Sequence, residues 1–252
     1  MSGPIALHGG GEFLPGDEAF LTALLERARG RRKADRARPI RVAIVPTAAA
    51  RGRPDLAAAN GVGAFERVAA DGGFEIEASA VEVVDRATAA DPELTARLAV
   101  ADVIHFPGGD PDLIPSLMPG SPAWAAVLRA HAEGAVLAGA SAGAMALGPW
   151  TWTPGGGVAG LRVVHGIVVV PHARAADWSA TIDRFAAWAP EGLSPLGLAE
   201  QTGVIQEPMR PGRATVKWRV IGPGEALWLP SIGGRTTVAS SGEVISTPFV
   251  PV

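Results

Sequence analysis

The chain contains no cysteine, which excludes disulfides, thiolate-bound metals and a cysteine nucleophile. No apolar run reaches the roughly 20 residues that a membrane-spanning helix needs. The first residues, MSGPIALHGG, show no basic segment followed by the long apolar stretch of a signal peptide. The net charge is only −3, so nothing points to nucleic acid or an anionic membrane. These absences predict a cytoplasmic protein that binds neither nucleic acid nor membrane.

Cofactor motifs are missing as well. The sequence has neither the G-x-G-x-x-G dinucleotide fingerprint nor a P-loop, and no histidine pair stands at metal-ligand spacing. We therefore expect no cofactor and no metal. The 252 residues are 48% hydrophobic and 19% charged, which is enough apolar material for a sizeable core. We expect a single α/β domain over 1–252, in which short antiparallel strands make 213–247 a β-rich extension.

Strands alternate with helices over about the first 148 residues. Continuous apolar runs such as IRVAIVPTA, DVIHFPGGD and AVLAGAS are typical of parallel strands that are buried on both faces. Asp17 and Asp91 are predicted to cap two of the intervening helices. The pattern predicts a doubly wound, mostly parallel sheet. The basic segment 28–38 indicates a solvated loop or a phosphate-binding patch, and TPGGGVAG a flexible loop.

Four of the predicted strands end in unusual segments, at the carboxyl ends where ligands bind in such sheets: HGGGEF, PTAAARGR, FPGGD and AGASAG. The last of them, Gly139-Ala140-Ser141-Ala142-Gly143, matches the nucleophile elbow G-x-S-x-G between a strand and a helix. There a strained turn presents the serine hydroxyl, and the N–H of Ala142 can stabilise an oxyanion. The alternative is a tight turn in which Ser141 only caps the helix.

A serine nucleophile needs a base, and the chain has five histidines. His172 is favoured because it follows the predicted strand GIVVV, at the end where other strand ends would meet. His8 and His165 remain alternatives. His105, inside a buried strand, is expected to be a satisfied core residue.

The orienting acid must come from elsewhere in the chain, because no Asp or Glu lies between Ser141 and His172. Glu200 is the candidate, since it ends the apolar run LGLAE and a buried carboxylate needs a partner. The predicted order is Ser141, His172, Glu200. The competing acids are Glu12, Asp110, Asp177 and Asp183.

These segments resemble, in order and nearly end to end, the serine peptidases that include cyanophycinase and aspartyl dipeptidase (peptidase E). The landmarks are HGGGE, VAIVPTAAA, VIHFPGGDPDLI, GAVLAGASAGAMAL, VVVPHA and LGLAEQTGV. The resemblance implies a class I glutamine amidotransferase-like fold, a flavodoxin-like three-layer sandwich with a short β-rich C-terminal part. It also implies roles for Ser141 as nucleophile, His172 as base, Glu200 as acid, and the Gly109 and Ala142 N–H groups as oxyanion donors.

Further residues are expected to bind substrate: Gly10, Gly11, Glu12, Gly108, Asp110 and Arg174. The chain departs from the family pattern at Pro111, where cyanophycinase-like members often have Gln, and in keeping only Arg174 and Arg184 after the histidine. The predicted activity is serine-catalysed hydrolysis of small peptides or isopeptides. The alternatives are an esterase with the same triad, or a binding protein for a small acidic ligand. The expected partner is a small peptide substrate, and a homodimer is compatible with the sequence.

Overall fold

The computed structural model describes residues 2–31, 38–208, 214–231 and 233–248, and its centre is an eight-stranded sheet. In spatial order its strands are β14 (Val244–Pro248), β11 (Thr215–Ile221), β10 (Gly203–Gln206), β1 (Ile5–His8), β5 (Val136–Ala140), β4 (Val103–Phe106), β2 (Ile40–Ile44) and β3 (Ile76–Ala80). The five strands from β1 to β3 in this order are mutually parallel, and β10, β11 and β14 continue the sheet antiparallel beyond β1.

Helices cover both faces of this sheet. Alternate residues of β2 show the division: Val42 and Ile44 share an apolar cluster with Leu24 and Phe65, whereas Ala43 belongs to the cluster on the other face. The predicted doubly wound α/β fold is therefore confirmed. The helices are α1 (Glu18–Arg31), α2 (Pro54–Gly72), α3 (Pro92–Ala99), α4 (Leu113–Leu117), α5 (Pro122–Glu133), α6 (Ala142–Leu147) and α7 (Trp178–Trp188).

Helix caps agree with the sequence at α3 but not at α1. The Asp91 carboxylate accepts hydrogen bonds from Glu93 N (2.7 Å) and Leu94 N (3.3 Å), as a capping residue does. The Asp17 carboxylate instead accepts from Phe13 N and lies against a buried histidine, so it serves the interior rather than the helix end.

A hairpin and a second sheet follow α6. The second sheet has the order β13 (Thr237–Ala239), β12 (Ala226–Trp228), β9 (Ser194–Leu198), β8 (Ile167–Val170). The segment TPGGGVAG is not a flexible loop: most of it forms the turn and second strand of a hairpin, β6 (Trp150–Thr153) with β7 (Gly156–Ala159).

The C-terminal strands are divided between the two sheets. β11 and β14 extend the central sheet, and β12 and β13 belong to the second one. Of the segment 213–247, residues 213 and 232 lie outside the described residues, as do positions 32–37 of the basic segment. Among the described helices, none combines the length and the apolar character needed to cross a bilayer.

Candidate active site

Ser141 occupies the sharp turn between β5 and α6. Its backbone has φ 48° and ψ −115°, a combination that costs energy for any residue with a Cβ and is typical of a nucleophile elbow. The hydroxyl makes no capping hydrogen bond to α6. The alternative role of Ser141 as a simple helix cap is therefore wrong.

Neighbouring glycines make this turn sterically feasible. A Cβ on Gly139 would stand 2.5 Å from the Gly143 carbonyl carbon, and one on Gly143 would stand 2.0 Å from the Phe106 carbonyl oxygen. Both distances are well inside van der Waals contact, so larger residues would force the strand and the helix apart. The glycines of G-x-S-x-G therefore allow close packing around the presented serine.

His172 and Glu200 meet because β8 and β9 are parallel neighbours. Val170 is paired with Gly197, so the residues that follow both strands leave the same edge of the second sheet. The His172 N–H donates to the Gly9 carbonyl oxygen (2.8 Å), which fixes the histidine against the glycine loop after β1. The expectation that His172 lies where strand ends meet holds, although its strand belongs to the second sheet.

The three side chains form a continuous hydrogen-bonded series. Ser141 Oγ lies 3.1 Å from His172 Nε2, and His172 Nδ1 lies 2.9 Å from Glu200 Oε1. Because a carboxylate only accepts hydrogen bonds, the contact with Glu200 assigns a proton to Nδ1, and Nε2 is the ring nitrogen that faces the Ser141 hydroxyl.

The reason we gave for choosing Glu200 is wrong, although the residue lies where we expected it. Its side chain is 65% exposed, so no desolvation cost demands a partner. The His172 side chain is 49% exposed. The open site lets solvent reach the histidine, and the orientation of the ring depends on the contacts of Glu200 and the glycine loop.

The loop after β4 brings backbone donors to the serine. A Cβ on Gly108 would stand 3.1 Å from Ser141 Cβ, so this loop lies directly beside the elbow. The Gly108 N–H donates to Glu12 Oε1 (2.6 Å), so Glu12 holds the loop. Within the described residues, the N–H groups of Gly109 and Ala142 have no acceptor, and both residues line a cavity together with Ser141.

Three other residues that were predicted to bind substrate contact different neighbours in the structure. Gly11 packs against the Glu200 side chain. The Asp110 carboxylate lies 3.6 Å from Arg51, which also forms a two-pronged ion pair with Asp112 and lowers the pKa of that carboxyl. The Arg174 guanidinium is bonded to Asp177.

Gly10 has a steric role in holding the base. Its φ is +110°, and a Cβ there would stand 2.3 Å from Cε1 of the His172 ring. We expect Gly10→Ala to displace the imidazole and to lower kcat by about 100-fold or more, because misplacements of about 1 Å have effects of that size. The measurement is steady-state hydrolysis of a peptide substrate.

The matched control is Gly156→Ala. Gly156 has nearly the same φ, +112°, but open space around the added Cβ. Equal activity losses in the two variants would show that backbone strain, and not contact with His172, causes the effect.

The rings of the other two candidate bases contact other groups, although the His8 carbonyl oxygen accepts a hydrogen bond from Ser141 N (2.9 Å). His8 is fully buried, accepts a hydrogen bond from Gly10 N at Nδ1 (3.3 Å), and places Nε2 2.9 Å from Asp17 Oδ1. The His8 ring therefore supports the glycine loop after β1 through this hydrogen bond with Gly10. His165 lines a separate cavity with Ile5 and Trp218. Neither is placed to serve as the base.

His105 is buried as expected but not satisfied: neither ring nitrogen has a hydrogen-bond partner within the described chain. The ring lies between Phe13 and Phe65. Burial, with a smaller contribution from His8, lowers the pKa of His105 to about 3. This imidazole is therefore neutral at physiological pH. No cluster of three metal-ligating side chains occurs in the parts of the chain that the structure describes.

The fold and the site together define a class: α/β proteins that present a serine, beside a histidine and a carboxylate, at the carboxyl edge of a parallel sheet. The sequence pattern of Peptidase family S51 matches residues 18–197, so the chain belongs to that family and is a peptidase. The matched range contains Ser141 and His172 but stops short of Glu200.

Solved structures agree with this assignment. A peptidase from an acI-B1 Actinobacterium is 25% identical, with a TM-score of 0.73, and the match covers 98% of this chain and 97% of that one. A candidate Peptidase E protein from Listeria monocytogenes EGD-e is 15% identical, with a TM-score of 0.54, and the match covers 88% of this chain and 98% of that one. This second match supports the fold. No curated protein sequence matches the chain. The predicted resemblance to the peptidase E and cyanophycinase family is thus confirmed.

Proposed function

We propose that this peptidase is of the serine type and hydrolyses small peptides or isopeptides through Ser141, His172 and Glu200. The observation that carries the proposal is the unbroken series of contacts from Ser141 Oγ through the His172 ring to Glu200 Oε1. Serine, imidazole and carboxylate in this order are the parts of an acyl-transfer triad. The strained backbone of Ser141 supports the same role, since strain of this kind is concentrated at functional sites.

In the first half-reaction, His172 Nε2 takes the hydroxyl proton while Ser141 Oγ attacks the amide carbonyl carbon. The N–H groups of Gly109 and Ala142 would stabilise the negative oxygen of the tetrahedral intermediate. The intermediate collapses as the carbon–nitrogen bond breaks, and His172 gives its proton to the leaving amine. Glu200 stabilises the imidazolium and keeps Nδ1 protonated throughout. The product of this half is an ester between the acyl group and Ser141.

In the second half-reaction, water replaces the amine. His172 Nε2 removes a proton from the water, whose oxygen attacks the ester carbonyl. The second tetrahedral intermediate collapses with return of the proton to Ser141 Oγ, and the acid product leaves. The exposed histidine suits this step, because solvent reaches it without a separate channel.

A fluorophosphonate probe tests this assignment directly. Attack by an activated serine oxygen forms a bond to phosphorus and expels fluoride, leaving a stable adduct. We expect a single adduct on Ser141, identified by mass spectrometry of the digested protein, and labelling at least 100-fold slower in His172→Ala. His165→Ala is the control and should label at the normal rate. A peptidase that hydrolyses peptides while Ser141 stays unlabelled would contradict the proposal.

A further inference from the structure

A cavity of about 400 Å³ opens beside Ser141, on the side where Gly109 and Ala142 also line it. Its volume falls in the range of small-molecule sites and is large enough for an aromatic side chain. Apolar side chains form most of the remaining wall, chiefly Met145, Trp150, Trp152, Val168, Val170 and Phe185. A group bound here would lie next to the bond that Ser141 attacks.

Packing contacts hold part of the aromatic wall of this cavity in place. The Trp150 indole lies across the backbone of Gly157 in the neighbouring strand, where a Cβ would stand 1.9 Å from Cζ2. Trp150 also packs with the buried Val168 and Phe185 in one apolar cluster. Trp152, by contrast, remains 43% exposed and offers aromatic surface at the cavity. An apolar ligand would remove that surface from water.

Charge is sparse at this cavity. Among the described residues that line it, only Arg184 is charged, and none is acidic. The other arginine after the histidine, Arg174, is bonded to Asp177. An acidic side chain placed against the tryptophans would lose hydration and could pair only with Arg184 among the described lining residues, whereas an apolar one would gain along the whole wall from leaving water.

We propose that this cavity binds a large apolar side chain, preferably aromatic, of the substrate residue that flanks the scissile bond. The inference rests on the proposed role of Ser141. The expected substrates are peptides with an apolar residue at the cleavage point, rather than aspartyl peptides.

Two dipeptide series test the proposal. One series varies the residue on the acyl side of the scissile bond among Phe, Leu, Ala and Asp, and the other varies the residue on the amine side. We expect one series to favour Phe over Ala by tenfold to 100-fold in kcat/KM, because a hydrophobic pocket discriminates roughly that well between large and small groups. The series that responds identifies the side of the bond that enters the cavity.

Variants of Trp152 connect this preference to the cavity. Trp152→Ala should lower the Phe-to-Ala ratio about tenfold, and Trp152→Phe should retain most of it. Leu128→Ala, which removes a comparably exposed apolar side chain (41%) from α5, should leave the ratio unchanged. Circular dichroism checks that each variant is folded.

A preference for Asp that Arg184→Gln abolishes would overturn the proposal, as would a Phe-to-Ala ratio that Trp152→Ala leaves unchanged. Fluorophosphonate labelling distinguishes a failure of the proposed substrate preference from a failure of the proposed serine mechanism. Normal labelling of Ser141 without an apolar preference refutes the substrate class alone, whereas absent labelling refutes the serine mechanism and this inference with it.

Discussion

Ser141→Ala is expected to lower kcat for peptide hydrolysis by about 10⁴-fold or more, because members of a triad act as a unit and the nucleophile has no substitute. The variant should fold normally. Alanine keeps the Cβ of serine in the strained turn, and Ser141 Oγ makes no hydrogen bond to the helix backbone that would be lost. The measurements are steady-state kinetics and thermal unfolding. Normal turnover in the folded variant would contradict the role of Ser141.

Ser121→Ala provides the opposite control. Ser121 caps α5, and its Oγ accepts a hydrogen bond from Trp124 N at 3.0 Å. Loss of such a cap costs about 1 kcal/mol of the free energy of unfolding. We therefore expect Ser121→Ala to be less stable but fully active, and Ser141→Ala to be stable but inactive. This contrast separates the chemistry of the elbow from the capping role that serine has at other helices.

The parallel part of the fold could be predicted because its signal is local. Strands buried on both faces need continuous apolar runs, and the crossovers between them need helices. The turn at Ser141 was equally visible, since only small residues fit around it. Such patterns report the immediate surroundings of each residue, which is why both predictions agree with the structure.

The second sheet could not be predicted in the same way. The stretch LSPLGLAEQTGVI reads as one strand, but β9 ends at Leu198 and β10 begins at Gly203 in the other sheet. The break depends on the turn at Gln201, whose φ is +54° and whose N–H donates to Gly10 O (2.7 Å), a contact between distant parts of the chain. Long-range contacts of this kind produce no periodic pattern in the amino-acid sequence, so the sequence could not predict the break.

The cavity residues were missed for a related reason. Trp150 and Trp152 immediately precede TPGGGVAG, the segment that local composition indicates to be a loop. The pairing of β6 with β7 and the packing of Trp150 with Val168 and Phe185 place them beside Ser141. The prediction that Asp17 caps α1 failed for the same reason. Asp17 stands at the capping position, but its carboxylate accepts a hydrogen bond from Phe13 N and lies 2.9 Å from His8 Nε2. In each case a tertiary partner replaced the local preference.

Glu200→Gln is expected to lower kcat by about 10³-fold with little change in KM. The amide keeps the size of the side chain but removes the charge that stabilises the imidazolium, and its NH₂ group can turn toward Nδ1 and favour the wrong tautomer. The analogous change in a serine protease triad costs on the order of 10⁴-fold. We expect a somewhat smaller loss here, because the Glu200 side chain is 65% exposed and water can partly replace it.

The other acids near the site provide the comparison for Glu200. Asp177 is bonded to Arg174, and Asp110 faces Arg51, so neither carboxylate is directed at the base. Glu12 Oε1 accepts from Gly108 N, a bond that the oxygen of Gln can still make, so Glu12→Gln should lose far less activity than Glu200→Gln. The test is to measure kcat for the neutral amide at Glu200 and at each of the four competing acids, Glu12, Asp110, Asp177 and Asp183. If Glu200→Gln keeps near-normal kcat while Glu12→Gln or Asp110→Asn does not, then the carboxylate that orients His172 during turnover is a different one, and the contact with Glu200 is incidental to the chemistry.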